Sequence, residues 1–173
     1  MNSGEDRVNE VGLRGKLVGG RASALSDFLF VGHFDVALDD KNRLTLPVSW
    51  RAPFLRTEYP GEPGLFVVPK EDAPQRLLAY PEVWIEQYYG QHLEGRDHDD
   101  EEWGKIARWT HAAEFCALDR AGRITLPRRL LDFVGIKPRQ RVVVAGVLRR
   151  FEIAGVESVP NEWAAHHAEM VGD

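Results

Sequence analysis

The stretches LDDKNRLTLP at residues 38–47 and LDRAGRITLP at residues 118–127 are two copies of one decapeptide, eighty residues apart. Six positions are identical without a gap: Leu38/Leu118, Asp39/Asp119, Arg43/Arg123, Thr45/Thr125, Leu46/Leu126 and Pro47/Pro127. Two copies at this separation indicate a duplicated domain, because a tandem array would repeat more often and at a shorter period.

Apolar and polar residues alternate in both arms of each copy. In the first copy, Leu44 and Leu46 alternate with Arg43 and Thr45, which is the two-residue period of a half-buried strand. The leucines are expected to face a core, and the arginine and the threonine to face away from it. Residues 34–38 alternate in the same way before the turn, so each copy is predicted to be a short β-hairpin.

The residues between the two arms are suited to a tight turn. The side chains of Asp39 and Asp119 can accept a hydrogen bond from the backbone two residues further on, and Asn42 and Gly122 can adopt a positive φ. We therefore predict that these four residues support the two turns.

Further elements are predicted outside the copies. Pro47 and Pro127 stand where a helix can begin. The second of these helices has an apolar stripe and a glycine stop: Leu130, Leu131, Val134 and Gly135. Extended runs follow at residues 65–68 and 142–153. Helices are predicted at residues 81–92 and 101–113, the latter with one face formed by Trp103, Ile106, Ala107 and Thr110.

The chain therefore divides into five segments. They are a disordered extension (1–27), a first repeat (28–80), a helical connector (81–113), a second repeat (114–160) and a tail (161–173). Because isolated hairpins are marginally stable and unpaired edges are liabilities, the two repeats are expected to complete each other.

The Asp-x-x-x-Arg turns at residues 39–43 and 119–123, each leading into Leu-Pro, resemble those of the MraZ family. The resemblance covers about residues 30–163. It implies an α+β fold, a duplicated AbrB-like swapped-hairpin β-barrel with short helices. It also implies a transcription regulator that binds double-stranded DNA at the promoter of a division and cell-wall gene cluster, and a homo-oligomer in the form of a closed ring.

Composition narrows the class of protein. The chain has 173 residues, of which 43% are hydrophobic, enough for a packed core. Its single cysteine, Cys116, excludes an intramolecular disulfide and is expected to be a packed thiol. No apolar run approaches membrane-spanning length. We expect a cytoplasmic, nucleoid-associated protein with no membrane partner and no cofactor.

Charge is unevenly distributed along the chain, whose formal net charge is −5. Residues 58–103 include twelve acidic and three basic residues, whereas residues 119–150 include nine basic and two acidic ones. Arginines that face phosphates produce affinity for DNA whatever the sign of the whole protein. The overall charge therefore excludes only indiscriminate binding of nucleic acid.

The repeated outward-facing positions are the candidates for DNA contact. Arg43 and Arg123 come first, because a guanidinium can recognise guanine in a bidentate manner or bind a phosphate. The supporting candidates are the residues at the loop tips and the threonines on the arginine face: Lys41, Arg120, Thr45 and Thr125. Arg128 and Arg129 are weaker candidates, since they lie in the first turn of the predicted helix.

Two other classes of function remain open. In a non-DNA-binding interaction scaffold of the same fold, the arginines would pair with the acidic segment 58–103 of a neighbouring subunit. An enzyme has less support. The cluster His92, Asp97, His98, Asp99 and Asp100 could in principle hold a metal, but it matches no metal-site or nucleophile motif. We therefore expect no catalytic residue and no metal site.

Overall fold

The computed structural model describes residues 28–56, 59, 61–73, 75–88, 90–91, 94–95, 97–159 and 163. The strands are β1 (His33–Ala37), β2 (Arg43–Thr45), β3 (Gly64–Pro69), β4 (Arg76–Pro81), β5 (Glu114–Ala117), β6 (Arg123–Thr125), β7 (Arg141–Val147) and β8 (Arg150–Gly155). The α-helices are α1 (Val48–Arg51), α2 (Glu82–Tyr88), α3 (Asp100–Ala112) and α4 (Arg128–Val134), with 3-10 turns at Ala52–Leu55 and Val156–Ser158. The mixed helix and strand content agrees with the predicted α+β class.

The strands form one antiparallel sheet of six and one antiparallel ribbon of two. The order in the sheet is β1-β7-β8-β4-β3-β5, and the ribbon pairs β2 with β6. Strands of the first half pair with strands of the second half at four places: β1 with β7, β4 with β8, β3 with β5 and β2 with β6. The two halves therefore complete each other, as the sequence predicts.

A pseudo-two-fold relation follows from these pairings. Exchanging β1 with β5, β2 with β6, β3 with β7 and β4 with β8 leaves both strand orders unchanged. The axis passes between Leu78 and Glu152 in the sheet and between Leu44 and Ile124 in the ribbon. Sequence duplication is thus expressed as internal symmetry.

The prediction of two local hairpins is wrong for most of each arm, because β1, β2 and β5 form their ladders with β7, β6 and β3. Beyond the second turn, an isolated bridge joins Leu118 to Ile124. Asp39 N donates to Arg43 O, which closes the first turn. Arg43 N, however, donates to the Asp39 side chain and not to its carbonyl, so the ladder stops and the arms diverge. Alternation in the sequence indicates which face of a strand is buried, but it does not identify the partner strand.

The inward-facing residues of the two copies form the centre of the core. Leu44 and Ile124 lie directly opposite each other and are both 0% exposed, which confirms the predicted pair. The other copied leucines are also buried: Leu38, Leu46, Leu118 and Leu126. An aromatic cluster extends this core, with its rings in edge or tilted contact: Phe28, Phe30, Trp50, Phe54 and Phe151.

Helix α4 forms as predicted. Leu130, Leu131 and Val134 are buried. Gly135 ends the helix with φ of 73°, in the left-handed region, where a residue without Cβ avoids a steric penalty.

The connector covers the outer face of the sheet. Trp109 and Ala112 of α3 pack against the buried residues Val68, Leu78 and Tyr80. The predicted face of this helix is wrong at three of its four positions, because Trp103, Ala107 and Thr110 are exposed and only Ile106 is partly buried. Apolar residues occur on several sides of α3 and none is fully buried, so periodicity alone did not identify the packed side.

Strand β4 was not predicted. Its residues Leu77–Tyr80 are a continuous apolar run, and it lies between β8 and β3. Burial on both faces removes the alternation that would have revealed it. Pro81, predicted in the first turn of a helix, ends this strand, and α2 begins at Glu82.

Some predictions lie outside the described residues: the disordered extension 1–27, residue 92 and most of the tail 161–173. Over the part of the chain that the structure does describe, no helix is long and apolar enough to cross a membrane.

Candidate nucleic-acid interface

The β2–β6 ribbon brings four of the predicted DNA-contact residues onto one face. Arg43 pairs with Thr125, and Arg123 pairs with Thr45. These four positions alternate with the buried Leu44–Ile124 pair, so their side chains lie on the face opposite the core. The duplicated motif therefore produces one composite surface and not two separate ones.

The first turn is held by the carboxylate of Asp39. Its Oδ1 accepts hydrogen bonds from the backbone nitrogens of Lys41 and Arg43, both at 2.9 Å. Its Oδ2 accepts a hydrogen bond from Nε of Arg43 at 2.5 Å. The same side chain thus fixes the turn and orients the arginine.

The second turn repeats this arrangement. Oδ1 of Asp119 accepts hydrogen bonds from the backbone nitrogens of Ala121 and Arg123 at 2.9 Å. Oδ2 accepts from Nε of Arg123 at 2.8 Å. Within the described residues, neither arginine uses its terminal nitrogens in a recorded bond, so these donors are available to an external acceptor.

The two aspartates are stabilised in the charged form. Desolvation raises the pKa of Asp39, but hydrogen bonds from Arg43 and Lys41 outweigh it and hold the pKa below its usual value. The pKa of Asp119 is lowered in the same way, with desolvation opposed by hydrogen bonds from Arg123 and Ala121. Both carboxylates therefore stay ionised at neutral pH and keep their arginines in place.

The last turn residues both adopt positive φ, 58° at Asn42 and 78° at Gly122. This is the conformation that asparagine and glycine tolerate better than most residues. The loop-tip residues Lys41 and Arg120 are exposed.

The weaker candidates Arg128 and Arg129 are placed differently. Arg128 binds Asp132 at 2.8 Å, and Arg129 binds Glu114 at 2.6 Å. Their charges are balanced by carboxylates outside the ribbon.

One nearby residue was missed from the sequence. Nη1 of Arg51, the last residue of α1, donates a hydrogen bond to the carbonyl of Ala121 in the second turn at 2.6 Å. The two residues are seventy positions apart, and position 51 is not part of the repeated motif, so no local pattern signals the contact.

The acidic loop has structural contacts. Asp99 caps α3 by accepting a hydrogen bond from Glu102 N at 2.8 Å, and His98 lies 3.2 Å from the carboxylate of Glu102. Among the residues whose placement is described, no group of three or more His, Cys, Asp or Glu could hold a metal ion. Residue 92 lies outside them.

Cys116 is a packed thiol, as predicted. It is buried in the core, and burial, with a smaller effect from Glu114, raises its pKa to about 12. Cys116 is therefore a neutral thiol, and not a thiolate, at neutral pH.

Comparison with known proteins places the chain in a family. A family model described as “MraZ protein, putative antitoxin-like” matches residues 110–155. A “Transcriptional regulator MraZ” from Chlorobaculum parvum is 34% identical over 121 residues, covering 66% of this chain and 73% of the relative. The chain belongs to the MraZ family. A second protein of that name, from Chlorobium luteolum, is 33% identical and covers 68% of this chain and 77% of the relative. One from Neisseria meningitidis is 28% identical over 149 residues, covering 84% of this chain and 89% of the relative.

The match to the MraZ family model includes the second half of the candidate site. Residues 110–155 contain the Asp119 turn, β6, α4 and the β7–β8 pair. The Asp39 turn lies outside this match but has the same hydrogen bonds. The second turn therefore lies within the match to the family model, and the first turn is its structural equivalent by the internal symmetry.

Proposed function

We propose that this MraZ-family protein is a sequence-specific, DNA-binding regulator of transcription. Its relatives carry the name “Transcriptional regulator MraZ”. The observation that carries the proposal is the exposed face of the ribbon, where Arg43 and Arg123 are oriented by their own aspartates and accompanied by Thr45 and Thr125. The target is the promoter of a division and cell-wall gene cluster, as the family resemblance implies.

The dimensions of the ribbon suit the major groove of DNA. That groove admits a two-stranded β-ribbon. Arg43 and Arg123 are diagonal neighbours across the two strands, a relation that places Cα atoms roughly 7–8 Å apart. Since base pairs are stacked about 3.4 Å apart, the two guanidiniums can reach base pairs two or three steps apart.

The nitrogens of each arginine have two different roles. Nε is held by the turn aspartate, and the two terminal nitrogens are directed to the DNA. A planar guanidinium can donate two hydrogen bonds to O6 and N7 of guanine. The exposed Lys41 and Arg120 at the loop tips add contacts to phosphates.

The fold that presents this surface is a duplicated AbrB-like swapped-hairpin β-barrel. Its two repeats are residues 28–80 and 114–160, joined by the helical connector 81–113. The exchange of strands between the halves, β1 with β7 and β3 with β5, supports this assignment. The protein acts in the cytoplasm, in association with the nucleoid, and not as an enzyme.

Assembly into a homo-oligomeric ring would multiply the DNA contacts. An open, aromatic-lined cavity of about 440 Å³ between α2 and α3 supports a contact between subunits, with Tyr80, Trp84, Tyr88 and Trp109 in its wall. Sedimentation velocity over a range of concentrations tests the assembly, which Trp84→Ser should weaken. A monomer at every concentration, with and without DNA, would contradict it.

The DNA-binding proposal is tested with Arg43→Ala and Arg123→Ala. Each is expected to weaken binding to the promoter fragment by about 1 to 3 kcal/mol if it contacts a base. Melting temperatures should stay near that of the parent protein, since both side chains face away from the core. Arg108→Ala, which removes an exposed arginine on α3, is the matched control. Fluorescence anisotropy at several salt concentrations, with a scrambled fragment as competitor, measures affinity and sequence preference.

The same variants test the scaffold alternative. In the scaffold alternative, the arginines bind the acidic segment of a neighbouring subunit. Arg43→Ala and Arg123→Ala should then weaken the association of subunits, and the parent protein itself should not bind the promoter fragment specifically. Should both variants bind the promoter as tightly as the parent at physiological salt, the ribbon is not the DNA-binding surface.

A further inference from the structure

The two ends of the ribbon differ because of one residue outside the repeat motif. At an offset of eighty residues, the position equivalent to Arg51 is Leu131. Leu131 is fully buried on the core-facing side of α4, whereas Arg51 is only partly buried at the end of α1. The pseudo-symmetry is thus broken next to the Asp119 turn.

Arg51 is packed directly against this turn. Its Nη1 donates a hydrogen bond to the carbonyl of Ala121 at 2.6 Å. A Cβ added to Gly122 would overlap the Arg51 side chain at Cδ and Nη1. Gly122, with φ of 78°, therefore leaves the space that the arginine occupies.

No carboxylate among the residues that the structure describes is paired with Arg51. Its one recorded partner within the described residues is the neutral Ala121 carbonyl, and four of its five N–H donors are not used by that bond. By contrast, Arg128 and Arg129 bind Asp132 and Glu114. A guanidinium without a carboxylate partner, at the surface of the turn, is suited to binding an anion.

The two turns consequently differ in charge. Residues 39–43 contain two aspartates, one lysine and one arginine, so their formal charges sum to zero. Residues 119–123 contain one aspartate and two arginines, and Arg51 adds a further positive charge. The Asp119 end of the ribbon is the more electropositive one.

We propose that Arg51 is a positioning and phosphate-contact residue of the Asp119 turn, so that the ribbon binds the DNA backbone more tightly at this end than at the Asp39 end. This inference rests on the proposed DNA-binding function. Arg51 holds the turn through Ala121 and presents its remaining donors to a phosphate next to the base pairs that Arg123 reaches. At the Asp39 turn the side chain that corresponds to Arg51 is the buried, apolar Leu131, which cannot donate such a hydrogen bond.

The test compares Arg51→Met and Arg51→Lys with the charge-matched control Arg108→Met. Binding to the promoter fragment is measured by anisotropy at salt concentrations between about 50 and 200 mM, with melting temperatures on the same samples. Arg51→Met should bind about tenfold more weakly at physiological salt. For each Arg51 that contacts DNA, the negative slope of log affinity against log salt should become less steep by about one. Arg51→Lys should recover the slope, because it retains the positive charge.

Three outcomes separate this inference from the proposed function. If Arg51→Met matches Arg108→Met in affinity and slope while Arg123→Ala binds weakly, the inference is wrong and the proposed function stands. If Arg51→Met lowers affinity without changing the slope, and Arg51→Lys does not rescue it, the residue supports the turn only and the phosphate contact is refuted. If the parent shows neither sequence preference nor a salt slope, the proposed function fails and the inference fails with it.

Discussion

Glu152 is the buried charged residue from which the largest loss of stability is expected. It lies on β8, is 4% exposed and faces Leu78 across the pseudo-two-fold axis. Its two oxygens accept hydrogen bonds from Nζ of Lys70 at 3.2 Å and Nη1 of Arg76 at 3.1 Å. The Arg76 guanidinium also lies 5.2 Å from the centre of the Trp163 ring. One carboxylate therefore balances two cations that are themselves largely covered.

The size of the effect follows from what Glu152→Gln leaves behind. Breaking a buried ion pair by removing one partner costs about 3 to 5 kcal/mol, because the remaining charge is uncompensated. Lys70 and Arg76 retain 21% and 17% of their side-chain exposure, so part of their hydration persists and the cost is reduced. We expect Glu152→Gln to lower the free energy of unfolding by about 2 to 4 kcal/mol.

Urea unfolding followed by far-UV circular dichroism, at one fixed protein concentration, measures this change. Glu101→Gln is the control, since its pair with Lys105 is exposed and should leave the unfolding midpoint unchanged. A triple variant that combines Glu152→Leu, Lys70→Met and Arg76→Met removes all three charges. It should recover much of the lost stability, because apolar replacements of buried ion clusters are often neutral or stabilising. A Glu152→Gln midpoint equal to that of the parent would refute the expected cost of leaving Lys70 and Arg76 without their carboxylate.

Three further predictions concern the core, the turn and the thiol. Leu44→Ala and Ile124→Ala should each lower the free energy of unfolding by about 2 to 5 kcal/mol, and since these side chains face each other, their effects in the double variant should not be additive. The pKa of Asp119 is lowered from the ordinary value of 3.8, so its stabilisation is present above that pH and is lost as the pH falls through the folded pKa. The melting temperature of the parent should therefore fall more steeply than that of Asp119→Asn in acid, and parallel curves would refute this. Because burial raises the pKa of Cys116 to about 12, a maleimide should label it at pH 8 only after unfolding in urea, and rapid labelling of the folded protein would contradict its burial.

The sequence predicted correctly those features that depend on a short stretch of residues. Alternation identified Leu44 and Ile124 as buried partners, and Gly135 was identified as the end of a helix. These properties depend on the period of a strand or the cap of a helix, both of which a short segment determines.

Long-range pairing was less accessible from the sequence. The arms of each turn were expected to pair with each other, but apart from the bridge between Leu118 and Ile124 they pair with the other half of the chain. Strand β4 was missed because it is buried on both faces, and the Arg51 contact joins positions seventy residues apart. Without an alternating pattern or a repeated residue, nothing local indicates such contacts.

The pattern of divergence between the repeats has a consequence for how DNA would be bound. At the ribbon axis the two repeats have similar residues, with Leu44 opposite Ile124. Further from the axis the repeats differ, since Arg51 of the first corresponds to Leu131 of the second. Two identical chains related by a true two-fold axis must present identical ends and favour a palindromic site. Fusion of the two repeats in one chain removes that constraint, because each end can change alone. Under the proposed function, the preferred half-sites next to Arg43 and Arg123 should therefore differ, and selection from a randomised DNA library should return a non-palindromic sequence. A perfect palindrome would mean that the differences between the two turns do not affect recognition.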